Sequence, residues 1–183
     1  MIAALLAAVL SSTLQGGAPP ETVVFFAPGV ERIVPSKRPE TLHLRLRSGK
    51  VSPRVSAAAL GTAVIFESAD DVFFDLSSYV GLSELFFRHK FVVAGDSFRA
   101  VLSRPGLLTL ENENRPIPRA YVYVTPTRGF SLSDSQGHYR LEGVPPGRQR
   151  ITAWNEASGT EDAEIEIPKS GVLQHDFTFL PRK

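Results

Sequence analysis

Residues 130–147 are FSLSDSQGHYRLEGVPPG, a stretch that predicts a β-hairpin followed directly by a second turn. The Asp134 carboxylate can cap the backbone of a tight turn, and Gly137 accepts the positive φ that such a turn requires. After the turn, Tyr139 and Leu141 alternate with polar residues, the period of two that directs one face of a strand toward a core. The closing Val-Pro-Pro-Gly segment then turns the chain into the next strand. This pattern indicates β structure.

The same alternation continues through the rest of the chain. Residues 42–47 (LHLRLR) alternate between leucine and a histidine or arginine side chain. Short apolar runs, separated by Gly, Pro, Ser or Asp, occur at 62–66, 73–76, 91–93, 107–110 and 121–124. The last of these is apolar on both faces, which predicts a strand that is covered on each side. Only residues 80–88 offer a helical turn, so we expect an all-β, sandwich-like protein.

A change of sequence style near residue 115 predicts two domains. The run 20–118 is rich in Phe, Val and Leu, whereas 115–183 has the tight hairpin punctuation of a smaller sandwich. Pro116 and Pro118 stiffen the short junction between them. We therefore expect that the two sandwiches do not move relative to each other.

The N-terminal residues resemble a secretory signal over 1–18. Residues 2–10 (IAALLAAVL) are an unbroken apolar run, followed by small and polar residues and then Pro19-Pro20. The run is too short to span a bilayer. The pattern predicts a periplasmic or secreted protein without a membrane span. The alternative is the N-terminal hydrophobic helix of a cytoplasmic protein.

Composition excludes several classes of function. The chain has 183 residues, 43% of them hydrophobic and 21% charged, with a net charge of +1 and no cysteine. Phosphate binding relies on an excess of Lys and Arg, so a nucleic-acid partner is not expected. The lack of cysteine removes disulfides, thiolate nucleophiles, iron–sulfur clusters and every copper site that needs a thiolate.

The C-terminal hairpin resembles that of carboxypeptidase-regulatory-like domains. These are transthyretin-like sandwiches that are also grouped with carbohydrate-binding folds. The resemblance covers residues 115–181 and places five side chains in the core: Tyr139, Leu141, Ile151, Ala153 and Phe177.

The upstream part resembles plastocyanin-like cupredoxins of the secreted bacterial kind. The resemblance is carried by residues 50–66 (KVSPRVSAAALGTAVIF) and 68–78 (SADDVFFDLSS). It implies a cupredoxin-like Greek-key β-sandwich that is followed by the smaller transthyretin-like one.

The resemblance also implies where copper ligands would stand. The two histidine positions fall on Phe74 and Arg115, the cysteine position on Asn112 and the methionine position on Pro118. A blue-copper site needs a thiolate, two imidazoles and a weak axial ligand, so none of the four is retained. We therefore predict a degenerate copper site with no cofactor. Alternatively, Phe74 is simply a core residue and the alignment is shifted.

Other polar residues admit structural explanations. Asp134, Ser135 and His138 suggest a hydrolase, but turn chemistry explains them better. The four histidines, His43, His89, His138 and His175, lack metal-ligand spacing; we expect three on outward strand faces and His89 in an exposed turn. Asp70-Asp71 and the ENEN segment at 111–114 suggest either a weak hard-cation site or ion pairs with Arg115 and Arg119.

Trp154 is the main candidate contact residue. By alternation it shares a strand face with Arg150 rather than with the core residues Ile151 and Ala153. An outward tryptophan beside an arginine, together with Tyr139, suits a sugar ring or a protein partner. A tryptophan at a domain junction is normally covered, so the interpretation that we favour is that Trp154 packs against the upstream domain.

These observations predict an exported, non-catalytic binding or structural protein of the bacterial envelope. Its partner would be an unknown envelope protein or polysaccharide. The first alternative is carbohydrate binding through the C-terminal sandwich. Copper electron transfer is a second alternative, which the absent ligands argue against, and an enzyme of any class comes last.

Overall fold

The computed structural model describes residues 12–27, 41–81, 83–114 and 118–179. Strands and turns account for the described ranges, which contain no helix, so the all-β prediction is confirmed. The helical turn considered for residues 80–88 is wrong, because strands flank Gly81 and pair with each other antiparallel. The strands are β1 (Ser12–Gly17), β2 (Val23–Phe26), β3 (Thr41–Arg47), β4 (Lys50–Ser52), β5 (Val55–Ala59), β6 (Ala63–Ser68), β7 (Phe74–Val80), β8 (Glu84–Phe91), β9 (Ser97–Val101), β10 (Gly106–Asn112), β11 (Ala120–Thr125), β12 (Phe130–Leu132), β13 (His138–Val144), β14 (Gly147–Asn155), β15 (Gly159–Ile167) and β16 (Gly171–Gln174).

The strands form four sheets. Sheet 1 has the order β4-β3-β6-β9, sheet 2 the order β5-β11-β10-β7-β8, sheet 3 the order β12-β2-β14-β15 and sheet 4 the order β13-β1-β16. Sheets 1 and 2 enclose one apolar core, and sheets 3 and 4 enclose a second. A third apolar cluster joins sheet 2 to sheet 3. The fold is therefore two sandwiches packed face to face, with the sheets stacked in the order 1, 2, 3, 4.

The strands are divided between the sandwiches differently from the predicted domains 20–118 and 115–183. β2 pairs with β12 and β14, so the start of the predicted first domain belongs to the second sandwich. β11 lies inside sheet 2, between β5 and β10, so it belongs to the first. The cause is side-chain chemistry on both faces of β11. Val122 and Val124 fill the first core, while Tyr121 and Tyr123 face sheet 3, as expected for a strand that is covered on each side.

β1 overlaps the predicted signal 1–18 and forms the middle strand of sheet 4. It pairs antiparallel with β13 and parallel with β16. Leu14 is fully buried in the second core, and the Ser12 hydroxyl donates a hydrogen bond of 2.7 Å to the Pro168 carbonyl. The last third of the predicted signal is thus a structural strand, whereas residues 1–11 lie outside the described ranges. Within those ranges, no helix has the length and hydropathy to cross a bilayer.

Candidate functional sites

Two of the positions assigned to copper ligands, Phe74 and Asn112, lie at one end of the first sandwich. Phe74 begins β7 and Asn112 ends β10, on neighbouring strands of sheet 2. The Phe74 ring is 1% exposed and belongs to the first core. The Asn112 Oδ1 atom accepts hydrogen bonds from the backbone N–H groups of Asp75 (3.3 Å) and Asn114 (3.2 Å). An apolar ring and a backbone-bound amide therefore occupy these positions; Pro118 is exposed and Arg115 lies outside the described residues.

Aspartates at the same end bind backbone groups. Asp70 accepts a hydrogen bond from the Ser48 N–H group (2.6 Å), and Asp71 accepts one from Ala94 (2.8 Å). Asp96 accepts bonds of 2.7 and 3.1 Å from the N–H groups of residues 92 and 93, and these bonds lower its pKa. The described parts of the chain contain no group of three or more His, Asp or Glu side chains placed to hold a metal ion. The carboxylates brace the loops by accepting N–H bonds from neighbouring turns.

Of the ion pairs expected near these loops, the structure contains Glu111 with Arg119, at 2.6 Å. The pairing expected with Arg115 involves a residue outside the described ranges.

A buried carboxylate that sequence reasoning missed lies on β7, on the face of sheet 2 opposite the first core. The Asp75 side chain is 5% exposed, and the Arg88 guanidinium donates two hydrogen bonds to it, of 2.8 and 2.6 Å. This bidentate ion pair lowers the pKa of Asp75. Beside it, the Tyr79 hydroxyl donates a 2.7 Å bond to Glu113, which lowers the pKa of that carboxyl. Pairing of β7 with β8 on one side and with β10 on the other brings these groups together, a relation without a local sequence signal.

Removal of this arginine is a test of the pair. Arg88→Met leaves Asp75 buried without its guanidinium partner, so we expect a lower urea midpoint than that of the wild type at neutral pH. Arg88 lowers the folded-state pKa of Asp75, so this stabilisation is present above the ordinary carboxyl pKa and is lost as pH falls through the lowered one. Urea unfolding of both proteins should therefore show curves that converge in acid.

The control for this prediction is Arg119→Met, which removes the exposed pair with Glu111. Its expected cost is under about 1 kcal/mol. A gap between wild type and Arg88→Met that is the same at every pH would contradict the assignment.

The three predicted contact residues do not form one site. Trp154 is 6% exposed, with its ring centroid 5.6 Å from that of Tyr121 and 5.5 Å from that of Tyr123. Tyr139 is 3% exposed; its hydroxyl donates a 2.6 Å bond to the His175 carbonyl, and burial raises its pKa. Arg150 is on the surface, paired with Asp162 at 2.7 Å. Alternation placed Trp154 on the correct face of its strand, but sheet 2 covers that face.

The hairpin turn forms as predicted. The Asp134 carboxylate accepts 2.9 Å bonds from the backbone N–H groups of Gln136 and His138, and Gly137 has a φ of 84°. The His138 ring lies 3.6 Å from Asp134, and both side chains are largely exposed. These contacts are those of a turn.

The remaining histidines are dispersed. His43 is exposed, and His175 is half-buried with its ring centroid 4.9 Å from that of Phe177. The exposed turn predicted for His89 is wrong, because this residue lies within β8 and its ring stacks on Phe98 at 4.5 Å.

The contact between the two sandwiches also includes charged groups. Arg54, between β4 and β5, forms ion pairs with Glu21 and Glu156 of the second sandwich. These pairs border the apolar cluster that contains Val23, Phe25 and Trp154. The sequence carries no signal for this contact, because its residues are far apart along the chain.

A depression, which we call the trough, extends from the outer face of sheet 4 to β12 of sheet 3. It has a volume of about 680 Å³, and its lining includes Gln15 and Gly17 of β1, Arg140 of β13, Gln174 of β16, Asp176 just after it, and Ser131 and Leu132 of β12. Gly17 has no side chain and leaves the trough open beside Asp176. Because its residues come from both ends of the chain, sequence reasoning did not find it.

Residues 106–180 match the family model of the carboxypeptidase regulatory-like domain. This confirms the resemblance of the C-terminal part of the chain. The match includes β10 and β11, which lie in sheet 2, and it does not include β1 or β2. No curated protein matches the chain by sequence.

Solved structures similar to this chain include cupredoxins. A purple cupredoxin from Nitrosopumilus maritimus is 19% identical, with a TM-score of 0.41 over 46% of this chain and 99% of that one. A reduced amicyanin variant is 10% identical, with a TM-score of 0.41 over 55% of this chain and 97% of that one. A pseudoazurin from Sinorhizobium meliloti is 14% identical, with a TM-score of 0.37 over 46% of this chain and 72% of that one.

Proposed function

We propose that this chain is an exported, non-catalytic binding or structural protein of the bacterial envelope, derived from a cupredoxin that has lost its copper. The observation that carries the proposal is the chemistry at the two described ligand positions. Phe74 fills the core with an apolar ring, and the side-chain oxygen of Asn112 accepts hydrogen bonds from backbone N–H groups. Neither group suits a type 1 copper ion, which needs thiolate and imidazole ligands.

Rigid packing supports a binding or scaffold role. The two sandwiches share an apolar cluster and the ion pairs of Arg54, and the aspartates at the former copper end hold the loops in place. Such a body presents fixed surfaces to a partner. Export is supported by the apolar run at residues 2–10, which precedes the first strand.

The test is chemical cross-linking of the full-length protein in intact cells, followed by fractionation and identification of the proteins and glycans recovered with it. We expect recovery from the envelope or the medium, with one protein or polysaccharide in stoichiometric amount. Recovery from the cytoplasm, or stoichiometric copper bound to the purified protein, would exclude this function.

Carbohydrate binding is the second candidate, and the position of its site needs revision. Trp154 and Tyr139 are both buried, so neither ring is available to stack on a sugar. The trough on sheet 4 offers exposed hydrogen-bonding groups instead.

A further inference from the structure

The trough contains a connected row of planar polar side chains. Arg140 donates a 3.3 Å bond to the Gln15 Oε1 atom, and the Gln15 amide donates a 3.5 Å bond to Gln174. Gln174 in turn donates a 3.2 Å bond to Asp176. At the other end of the row, Arg140 donates a 2.9 Å bond to Glu142. The row crosses all three strands of sheet 4.

The row is held in place but not saturated. Each side chain contacts a neighbour, so less rotamer freedom is lost when a ligand binds. A guanidinium and a primary amide each carry more N–H donors than the row uses, and amide and carboxylate oxygens accept more than one bond. Donors and acceptors therefore alternate along an exposed surface.

The charges around the trough restrict the class of ligand. Backbone N–H groups of His138 and Gly17 lower the pKa values of Asp134 and Asp176, so both are ionised at neutral pH. With Glu142 they place three carboxylates around the Arg140 cation. An anionic ligand would be repelled by these carboxylates. An apolar ligand would remove water from the polar row without replacing its hydrogen bonds, which costs free energy. A neutral molecule rich in hydroxyl groups satisfies donors and acceptors together.

The geometry suits a chain of sugars rather than a single polyol. Strands of a sheet lie about 4.8 Å apart, close to the length of one pyranose ring. A glycan laid across the strands would present successive rings to Arg140, Gln15 and Gln174 in turn. Gly17 keeps the path clear, because a side chain there would point into the trough beside Asp176.

We propose that the trough formed by Gln15, Gly17, Arg140 and Gln174 binds a neutral polysaccharide across the strands of sheet 4. The inference rests on the proposed binding function and assigns its site and ligand class. The Tyr139 ring is buried in the second core, so recognition depends on hydrogen bonds and many weak contacts along one polymer.

Affinity electrophoresis of the full-length protein tests this assignment, with gels that contain dextran, mannan or laminarin as neutral probes and alginate as the anionic one. Wild type should be retarded by at least one neutral probe and not by alginate. Two trough variants should lose affinity by about tenfold: Gln15→Ala combined with Gln174→Ala, which removes hydrogen bonds, and Gly17→Leu, which fills the path.

The matched control is Arg150→Ala, which removes an exposed arginine of sheet 3 and should leave retardation unchanged. Urea midpoints confirm that each variant is folded. The assignment is overturned if no neutral probe retards the wild type, if only alginate does, or if retardation is indifferent to both trough variants. A stoichiometric protein partner without any glycan retardation would remove the trough assignment and leave the proposed binding function standing.

Discussion

Gly16→Ala is expected to destabilise the second sandwich by about 4 kcal/mol, from overpacking and a broken buried hydrogen bond. A Cβ atom at residue 16 would lie 1.6 Å from the His175 carbonyl oxygen, so the backbone itself must move. That oxygen also accepts the hydrogen bond of the buried Tyr139 hydroxyl, at 2.6 Å. A shift of the His175 carbonyl group disrupts both the pairing of β1 with β16 and the packing of the second core.

Gly17→Ala is the matched control. Its Cβ would meet only the Asp176 side chain, at 3.5 Å, which is an ordinary contact. We expect a change within about 0.5 kcal/mol. Urea unfolding of the full-length proteins, followed by circular dichroism, gives both values. Equal stability of the two variants would show that β1 is not part of the folded protein.

The position of β1 in sheet 4 also predicts how residues 1–18 are processed. A chain that starts at Pro19 lacks the middle strand of sheet 4, and with it the buried Leu14 side chain. We therefore expect truncation before Pro19 to unfold the second sandwich, and truncation before Ser12 to preserve it. Mass spectrometry of the protein recovered from cells should find an N-terminus no later than Ser12. A mature N-terminus at Pro19 would contradict this expectation.

Local features of the fold were predictable because local residues cause them. The turn at Asp134 and Gly137 needs only a capping carboxylate and a positive φ, and both follow from residue type. Likewise, apolar residues on both faces of 121–124 correctly predicted a strand covered on each side.

Assignment of strands to sheets was not predictable, because pairing partners are distant in sequence. β2 is apolar on both faces, but nothing in its four residues specifies pairing with β14, more than a hundred residues later. β1 contains mainly polar residues and glycine after an apolar run, a pattern typical of a signal, so nothing in its sequence predicts the pairing with β13 and β16. The trough depends on the same pairing.

Trp154→Ala is expected to cost about 4 kcal/mol, the usual range for removal of a large buried ring. The indole fills the cluster between sheets 2 and 3 and contacts the rings of Tyr121 and Tyr123. Because this cluster joins the two sandwiches, its loss should also uncouple them. Unfolding by urea should then change from one transition to two, and proteolysis should separate the sandwiches more readily.

The control variants separate packing from charge at this interface. Arg54→Ala removes the ion pairs with Glu21 and Glu156, but the arginine is 38% exposed, so we expect a loss under about 1 kcal/mol and a single transition. Phe73→Ala removes an aromatic ring that is 43% exposed and should have a similarly small effect. The interface would then owe its rigidity to the apolar cluster, with the ion pairs at its border contributing little.

The same variant distinguishes a structural tryptophan from a ligand platform. If Trp154 bound a sugar, its replacement by alanine would reduce retention on a polysaccharide and leave the urea midpoint unchanged. Burial of the indole predicts the reverse: a lower midpoint, with retention by the folded fraction still dependent on the trough on sheet 4. Gln15 and Gln174 lie on sheet 4, on the far side of the second core from sheet 2, so loosening the interface should leave them in place. Loss of retention at full stability would place the binding surface at the interface instead.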